Sequence, residues 1–256
     1  MFFKSILAAS AATLALAGTA SAQNYVSVSG GFNLQADSGN SGALTRDFVT
    51  GNGVAVPAGT TLSQGTPIAW NTEFGTGGFF SGAIGREVIE NVRLEFEIAY
   101  SSADVDTHTN VTAGGNSIDA ADAAVLITGS APLGVTVGAA VADGRGDIST
   151  LSYAVNGFYD IPLEMFTAYV GAGVGLAEVE VNYAPFGIAI IQDTESVGLF
   201  QVMAGASYPL NDTTDLFGGY RFRMAGDAGT NSVLFPTSLD VENNAHVFEF
   251  GVRFNF

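Results

Sequence analysis

Read at every second position, residues 244–256 (NAHVFEFGVRFNF) separate into two lists. Phe248, Phe250, Val252, Phe254 and Phe256 form one; Glu249, Gly251, Arg253 and Asn255 form the other. Side chains of a β-strand point alternately to opposite faces, so the segment is a ribbon with one apolar wall and one charged wall. Residues 25–34 repeat the pattern, with Val26, Val28, Gly30, Phe32 and Leu34 opposite Ser27, Ser29, Gly31 and Asn33. Residues 91–102 repeat it again, with Val92, Leu94, Phe96, Ile98 and Tyr100 opposite Arg93, Glu95, Glu97 and Ala99. A helix would put Glu95, Phe96 and Glu97 on adjoining faces with no coherent stripe, so period two wins. Further alternating stretches run over 76–86, 150–159, 166–177, 197–209 and 215–225. In 166–177 one face is Tyr169, Gly171, Gly173 and Gly175, a small-residue stripe that leaves room for bulky neighbours. The alternation slips at Glu178 and Glu180, which fall on the formerly apolar face and read as the strand leaving its apolar surroundings.

Eight such ribbons need apolar cover, and the chain has few polar-faced helices to supply it. A closed transmembrane barrel needs none, because lipid meets the apolar wall and the lumen takes the polar one. The connections support this reading. Tight turns at 87–90, 160–164 and 210–213 alternate with long connections at 35–74, 103–149, 183–196 and 226–243. Outer-membrane barrels show that asymmetry, with short periplasmic turns and long outer loops. An even strand count puts both termini on the periplasmic side. Tyr159, Phe166, Tyr208, Phe254 and Phe256 then cluster near that rim, where an aromatic girdle is expected. The expected fold class is therefore all-β, an antiparallel transmembrane barrel of eight strands. Residues 123–142 (AAVLITGSAPLGVTVGAAVA) hold the alternative open: uncharged but broken by Gly129, Pro132, Gly134 and Gly138, they suit a further hairpin and a ten-stranded count better than a membrane helix.

Residues 1–22 have one lysine, an apolar run and Ala20-Ser21-Ala22, the order of a secretory signal peptide cleaved before Gln23. The expected organisation is thus a signal peptide over 1–22 and a barrel over 23–256, with long loops at about 35–74 and 103–149. Removing the leader removes Lys4, the sole lysine, and leaves 7 basic against 25 acidic residues, a net charge of −18. Nucleic acid is excluded as a partner, since phosphate binding needs basic clusters. The acidic residues fall mostly between the ribbons and read as solvated loops. With no cysteine, neither disulfides nor thiolate metal sites are available.

Arg93, Glu95, Glu97, Arg221, Arg223, Glu249 and Arg253 all take the lumen parity. They form either a paired polar plug or the lining of a narrow pore. An eight-stranded interior is just wide enough for side chains to fill, which favours the plug. On this reading Arg253 balances Glu249 or Glu97. His246, with Ser232, Asp240 and Glu242 nearby in sequence, is the one grouping that a barrel hydrolase could use. His108 lies in a Thr/Asn-rich stretch and reads as solvated, and Arg145-Gly146-Asp147 reads as a turn rather than an adhesive motif. No catalytic residue, cofactor or metal site is assigned.

The segments VRLEFEIAYSSADVD (92–106), YAVNGFYDIP (153–162), FTAYVGAGVGLAEVEV (166–181), GLFQVMAGASYPLNDTTDLFGGYRF (198–222) and HVFEFGVRFNF (246–256) resemble small outer-membrane barrels of the OmpA-like and bacterial surface-antigen superfamily. The resemblance covers the strands and skips the loops. It implies an eight-stranded barrel; the expected protein is a monomer in the bacterial outer membrane, contacting its lipids and lipopolysaccharide, with loops outside. It further implies that the barrel-assembly machinery reads the last strand through Phe248, Phe250, Val252, Phe254 and Phe256. It fixes no activity: the superfamily includes surface antigens, structural anchors, adhesins and narrow pores. No peptidoglycan-binding domain of the kind many OmpA proteins carry is expected after the barrel. The expected role is a structural anchor and surface antigen, with a narrow diffusion pore as the alternative and a hydrolase as a distant third.

Overall fold

The computed structural model describes residues 23–256, so the leader expected at 1–22 lies outside the described residues. Thirteen strands are present among them: β1 (Asn24–Gln35), β2 (Ser38–Leu44), β3 (Phe48–Val49), β4 (Thr61–Leu62), β5 (Pro67–Phe74), β6 (Thr76–Ile89), β7 (Val92–Ala113), β8 (Asn116–Ser117), β9 (Gly146–Pro162), β10 (Thr167–Tyr183), β11 (Ile191–Asn211), β12 (Thr214–Asn231) and β13 (Thr237–Asn255). Antiparallel pairing closes the ring β1-β6-β7-β9-β10-β11-β12-β13, with β13 returning to β1 from Tyr25↔Asn255 to Gln35↔Ala245. The seam is complete to the last residue: Phe256 N–H donates to the Asn24 carbonyl at 2.9 Å and Asn24 N–H donates back at 3.2 Å. The barrel has eight strands.

The strands are longer than a membrane requires. A tilted transmembrane strand needs about 9–11 residues, whereas β7, β9, β10, β11, β12 and β13 run to between 17 and 22. The surplus lies at the end away from the termini. There β2 and β5 continue the paths of β1 and β6 after short breaks at 36–37 and 75, so the ring β13-β2-β5-β7 carries the wall upward. The alternation continues through this upper part, unbroken on β10 and β13 and with a change of phase past register shifts on β7 and β12, but its chemistry inverts. On β10 the outward Val170, Val174 and Leu176 give way to exposed Glu178 and Glu180, while the inward positions become Ala177, Val179, Val181 and Tyr183, all buried. On β13 the outward Phe250 and Phe248 give way to exposed Glu242 and Asp240, while Val241 and Leu239 are buried inside. The terminal half is apolar outside and polar inside, as lipid demands; the loop half is polar outside and apolar inside, as water demands.

This inversion corrects the boundaries expected from sequence. The stretch 35–74 is mostly wall, and its connection shrinks to 45–66, itself holding the β3–β4 ribbon. Residues 103–113 belong to β7, and the remaining long connection is 114–145. The connections expected at 183–196 and 226–243 shrink to 184–190 and 232–236. Outward polar residues had marked the end of each ribbon, yet they mark only the end of the lipid.

Residues 123–142 form no hairpin of strands. Ala123–Leu126 is a single 3-10 turn and Val137–Val141 a short helix, α1. The Asp122 carboxylate accepts from Ala124 N and Leu133 N at 2.9 Å and from Gly134 N at 2.8 Å, which ties both ends of the insert to one side chain. Those amides, Leu133 first, hold the carboxyl below the usual carboxylate range. Val125, Val137 and Val141 are buried against β-wall residues such as Val179, Val181 and Leu239. The uncharged run is therefore the stopper of the apolar upper half. At the other end the turns are short. Asn91 takes φ 63° in the β6–β7 turn, a left-handed conformation that asparagine tolerates better than most residues, and the Glu87 carboxylate accepts from Asn91 N at 3.1 Å.

Candidate functional site: a packed lumen beneath an apolar chamber

The seven charged residues expected in the lumen are all buried inside the terminal half, on β7, β12 and β13. They stack in layers. Nearest the termini, Arg93 makes a bidentate pair with Asp160 of β9, Nε to Oδ2 at 2.6 Å and Nη2 to Oδ1 at 2.9 Å. Its guanidinium lies over the rings of Phe158 (4.6 Å), Tyr25 (5.5 Å) and Tyr169 (5.7 Å). Arg253 sits over Tyr25 at 5.1 Å and pairs with Asp215 of β12 at 3.6 Å. The pairing expected of Arg253 with Glu249 or Glu97 does not form: Glu249 meets Arg221 instead, since its register partner Gly219 has no side chain and Arg221, two residues along β12, reaches into the space.

Above this layer Arg221 bridges two carboxylates, Glu97 of β7 and Glu249 of β13, the latter at 2.9 Å. The remaining capacity of each acid is filled. Gln201 Nε2 donates to Glu97 at 3.2 Å, Ser29 Oγ donates to Glu249 at 2.7 Å, and Glu95 accepts from Tyr25 Oη and Asn156 Nδ2, each at 3.0 Å. Arg223 forms the next layer with no carboxylate within 4.0 Å among the described residues. It donates to Ser101 Oγ (3.1 Å) and Ser152 Oγ (2.6 Å) and lies 5.8 Å from the Phe79 ring. Glycine makes room for the filling. A Cβ at Gly173 would land on Asn156 Oδ1, and one at Gly171 on the Phe158 ring. The result is a cross-section crowded with paired charge and aromatic rings, the condition under which buried ions are tolerated.

Over the polar plug stands the apolar chamber of the loop half. Leu44, Ile68, Trp70, Val111, Phe48, Phe235 and Val125 contribute to a cavity of about 140 Å³. His108, read from sequence as solvated, is buried in its wall, with Nδ1 at 2.8 Å from Thr72 Oγ1. Desolvation pushes its imidazole down to about 4. Alternation alone does not place it there: 108 has the parity opposite to the inward series 93–105, and the ring turns inward only because the β5–β7 register shifts between Glu73 and Phe74. Arg145 pairs with Asp143 at 3.2 Å, and Gly146 takes φ 152° at the start of β9, so the Arg-Gly-Asp tripeptide straddles the last residue of the 114–145 connection and the first two of the strand.

His246 stands on the outer face. Its Nδ1 lies 2.8 Å from Tyr220 Oη, and its ring packs on Phe222 (4.9 Å between centroids) and Tyr220. Glu242 lies four residues along the same strand, about 13 Å away at 3.3 Å per residue. Ser232 Oγ accepts from Leu234 N and Phe235 N at 3.3 Å. The structure does not bring these residues together. Among the described residues no cluster of three or more His, Asp or Glu side chains could hold a metal ion. Phe248, Phe250, Phe254 and Phe256 project outward and are exposed, with Val252 half-buried between them.

A family profile described as surface antigen matches residues 52–256. Among solved structures, the outer membrane protein OprG from Pseudomonas aeruginosa is 14% identical over 91% of this chain and 96% of its own, with a TM-score of 0.50, a likeness of fold. Neisserial surface protein A is 15% identical over 92% of this chain and 99% of its own, with a TM-score of 0.41. A major outer membrane protein from Thermus thermophilus is 13% identical over 92% and 99%, with a TM-score of 0.45. No curated protein sequence matches the chain.

Proposed function

The chain belongs to the surface antigen family of outer-membrane barrels, and from that premise we propose that it serves as a membrane anchor for an exposed, loop-capped turret rather than as a solute pathway. One observation carries this reading: the terminal half of the lumen is filled by the Arg93–Asp160 pair, the Glu97–Arg221–Glu249 bridge and the rings of Tyr25, Phe158 and Tyr169. A hydrated ion would have to displace paired, desolvated charge to cross it. The orientation follows from the asymmetry of the ends. Both termini and the two- to four-residue connections at 90–91, 163–166 and 212–213 share one rim, which we assign to the periplasm. The turret, with exposed Glu178, Glu180, Asp240 and Glu242 on its wall, then stands in the medium beyond the lipopolysaccharide. The chain acts as a monomer and not as an enzyme; His246, the only histidine of the lipid-level wall, is engaged by Tyr220 on the outer surface.

Planar-bilayer recording tests the proposal. Purified protein should give no steady unitary conductance, and neither should Arg221→Ala, because the insert at 123–142 still closes the apolar upper half above the bridge that the substitution removes. Steady conductance in the unmodified protein, altered in size or selectivity by Arg221→Ala, establishes the pore instead.

A further inference from the structure

The apolar chamber contains more than hydrophobic packing requires. Its wall is lined by the rings of Trp70, Phe48, Phe235, His108 and Tyr183 together with aliphatic side chains. Two of those rings carry buried polar atoms with no partner, His108 Nε2 and the Tyr183 hydroxyl. The Thr72 hydroxyl beside them meets Asn40 Nδ2 at 2.7 Å and His108 Nδ1 at 2.8 Å; it also lies near the Tyr183 phenol and weakly offsets the effect of burial on it, without forming a hydrogen bond within 3.5 Å. His108 and Tyr183 stack edge to face with centroids 4.8 Å apart, so the two orphan atoms belong to one corner of the wall. Buried polar groups without a partner in the protein are costly, so this corner calls for a bound molecule that supplies one.

We propose that this chamber is a binding site for one small, neutral, hydroxylated ring, of the phenol class. Volume sets the size: an apolar protein cavity of about 150 Å³ takes up one benzene-sized molecule, and this one measures about 140 Å³. The wall sets the shape, because aromatic faces and edges receive a flat ring better than a flexible chain. The orphan pair sets the polar group. A hydroxyl both donates and accepts, so it satisfies Tyr183 Oη and His108 Nε2 whichever tautomer the imidazole adopts. Charge is excluded. Burial holds the imidazole neutral at pH 7 and keeps the Tyr183 phenol well above its ordinary value, so neither offers a counter-ion. The site lies in the loop half, above the charged plug, and is independent of whether that plug conducts.

Trp70 is the sole tryptophan of the chain and lines the cavity, so it reports occupancy directly. The full barrel is reconstituted in phosphatidylcholine vesicles, folding is checked by heat-modifiable gel mobility, and Trp70 emission is followed against free 4-bromophenol at pH 7, its bromine being the quencher. Saturable quenching to one molecule per barrel is expected. Bromobenzene, and 4-bromophenol with Tyr183→Phe or His108→Phe, should each bind about ten-fold more weakly, the worth of one neutral hydrogen bond. Ala113→Leu, or Val56→Phe should the first variant fail to fold, fills the chamber and should abolish the saturable phase. Quenching that rises linearly with the probe and is the same after the chamber is filled overturns the site. Equal affinity for bromobenzene and 4-bromophenol, unchanged in both ring variants, overturns the assignment of a hydroxylated ligand.

Discussion

Replacing Arg221 by methionine keeps side-chain length but removes the charge that bridges Glu97 and Glu249, both of them almost wholly buried. Breaking a buried ion pair from one side costs about 3–5 kcal/mol, because the partner is left desolvated and unpaired. Here two carboxylates are stranded, yet neither is left bare: Glu97 keeps Gln201 and Glu249 keeps Ser29. Hydrogen bonds to charged groups are worth about 1.5–3 kcal/mol each and soften the loss. A ceiling also applies. Either acid can take up a proton, which at pH 7 costs about 3.7 kcal/mol from an ordinary glutamate value of about 4.3. The expected destabilisation is therefore about 4–6 kcal/mol at pH 7 for the pair. It should shrink by several kcal/mol at about pH 4, where protonation costs little. Urea titration of the barrel in lipid vesicles, at both pH values and alongside Arg221→Met/Glu97→Gln/Glu249→Gln, measures it. The triple variant should recover most of the loss. A single variant within about 1 kcal/mol of the parent, or a triple variant no better than the single, would refute the claim that the bridge neutralises the lumen.

Arg223→Met, which breaks two serine contacts and no ion pair, should cost clearly less than Arg221→Met in the same titration, because no buried carboxylate is stranded; parity with Arg221→Met would mean that charge pairing is not what separates them. Phe250→Arg places a cation on the lipid face of β13 midway along its lower half, where it is 68% exposed, and should cost about 2–4 kcal/mol; a neutral result would invert the two faces. His108 has a folded value near 4 against about 6.5 unfolded. Between those limits the unfolded chain binds the extra proton. Its contribution is full above about pH 6.5 and is lost as the pH falls toward 4, at up to about 1.4 kcal/mol per unit. His108→Gln should flatten that part of the pH–stability curve, and an unchanged slope counts against burial of the ring. Removing Phe256 should lower the assembled fraction in cells more than it lowers stability in vesicles, since its backbone contributes only the end of the β13–β1 seam; equal losses would argue against a role as an assembly signal.

The alternation over 92–100 and 246–256 determined the ribbon, and with it the lumen side of Arg93, Glu95, Glu97, Glu249 and Arg253, because period two is a property of the extended backbone wherever it runs. The short turns and the eight-stranded count were legible for the same reason. Pairing within the lumen was not. Arg221 meets Glu97 across the barrel at a separation of 124 residues, and Arg253 meets Asp215 on the neighbouring strand, choices made by barrel curvature and side-chain reach. Nor was the upper half legible. At Glu178 the outer phase changes from lipid to water while β10 stays in register with both neighbours, so a reading keyed to which residues face out ends the strand too soon. Only with the ring closed do Val179, Val181, Leu239 and the tethered insert at 122–141 turn toward one another, and only then does His108 pass from an apparent loop into the wall of a chamber. A strand's periodicity is local physics; which solvent each face meets is settled by the closed cylinder and its depth in the membrane.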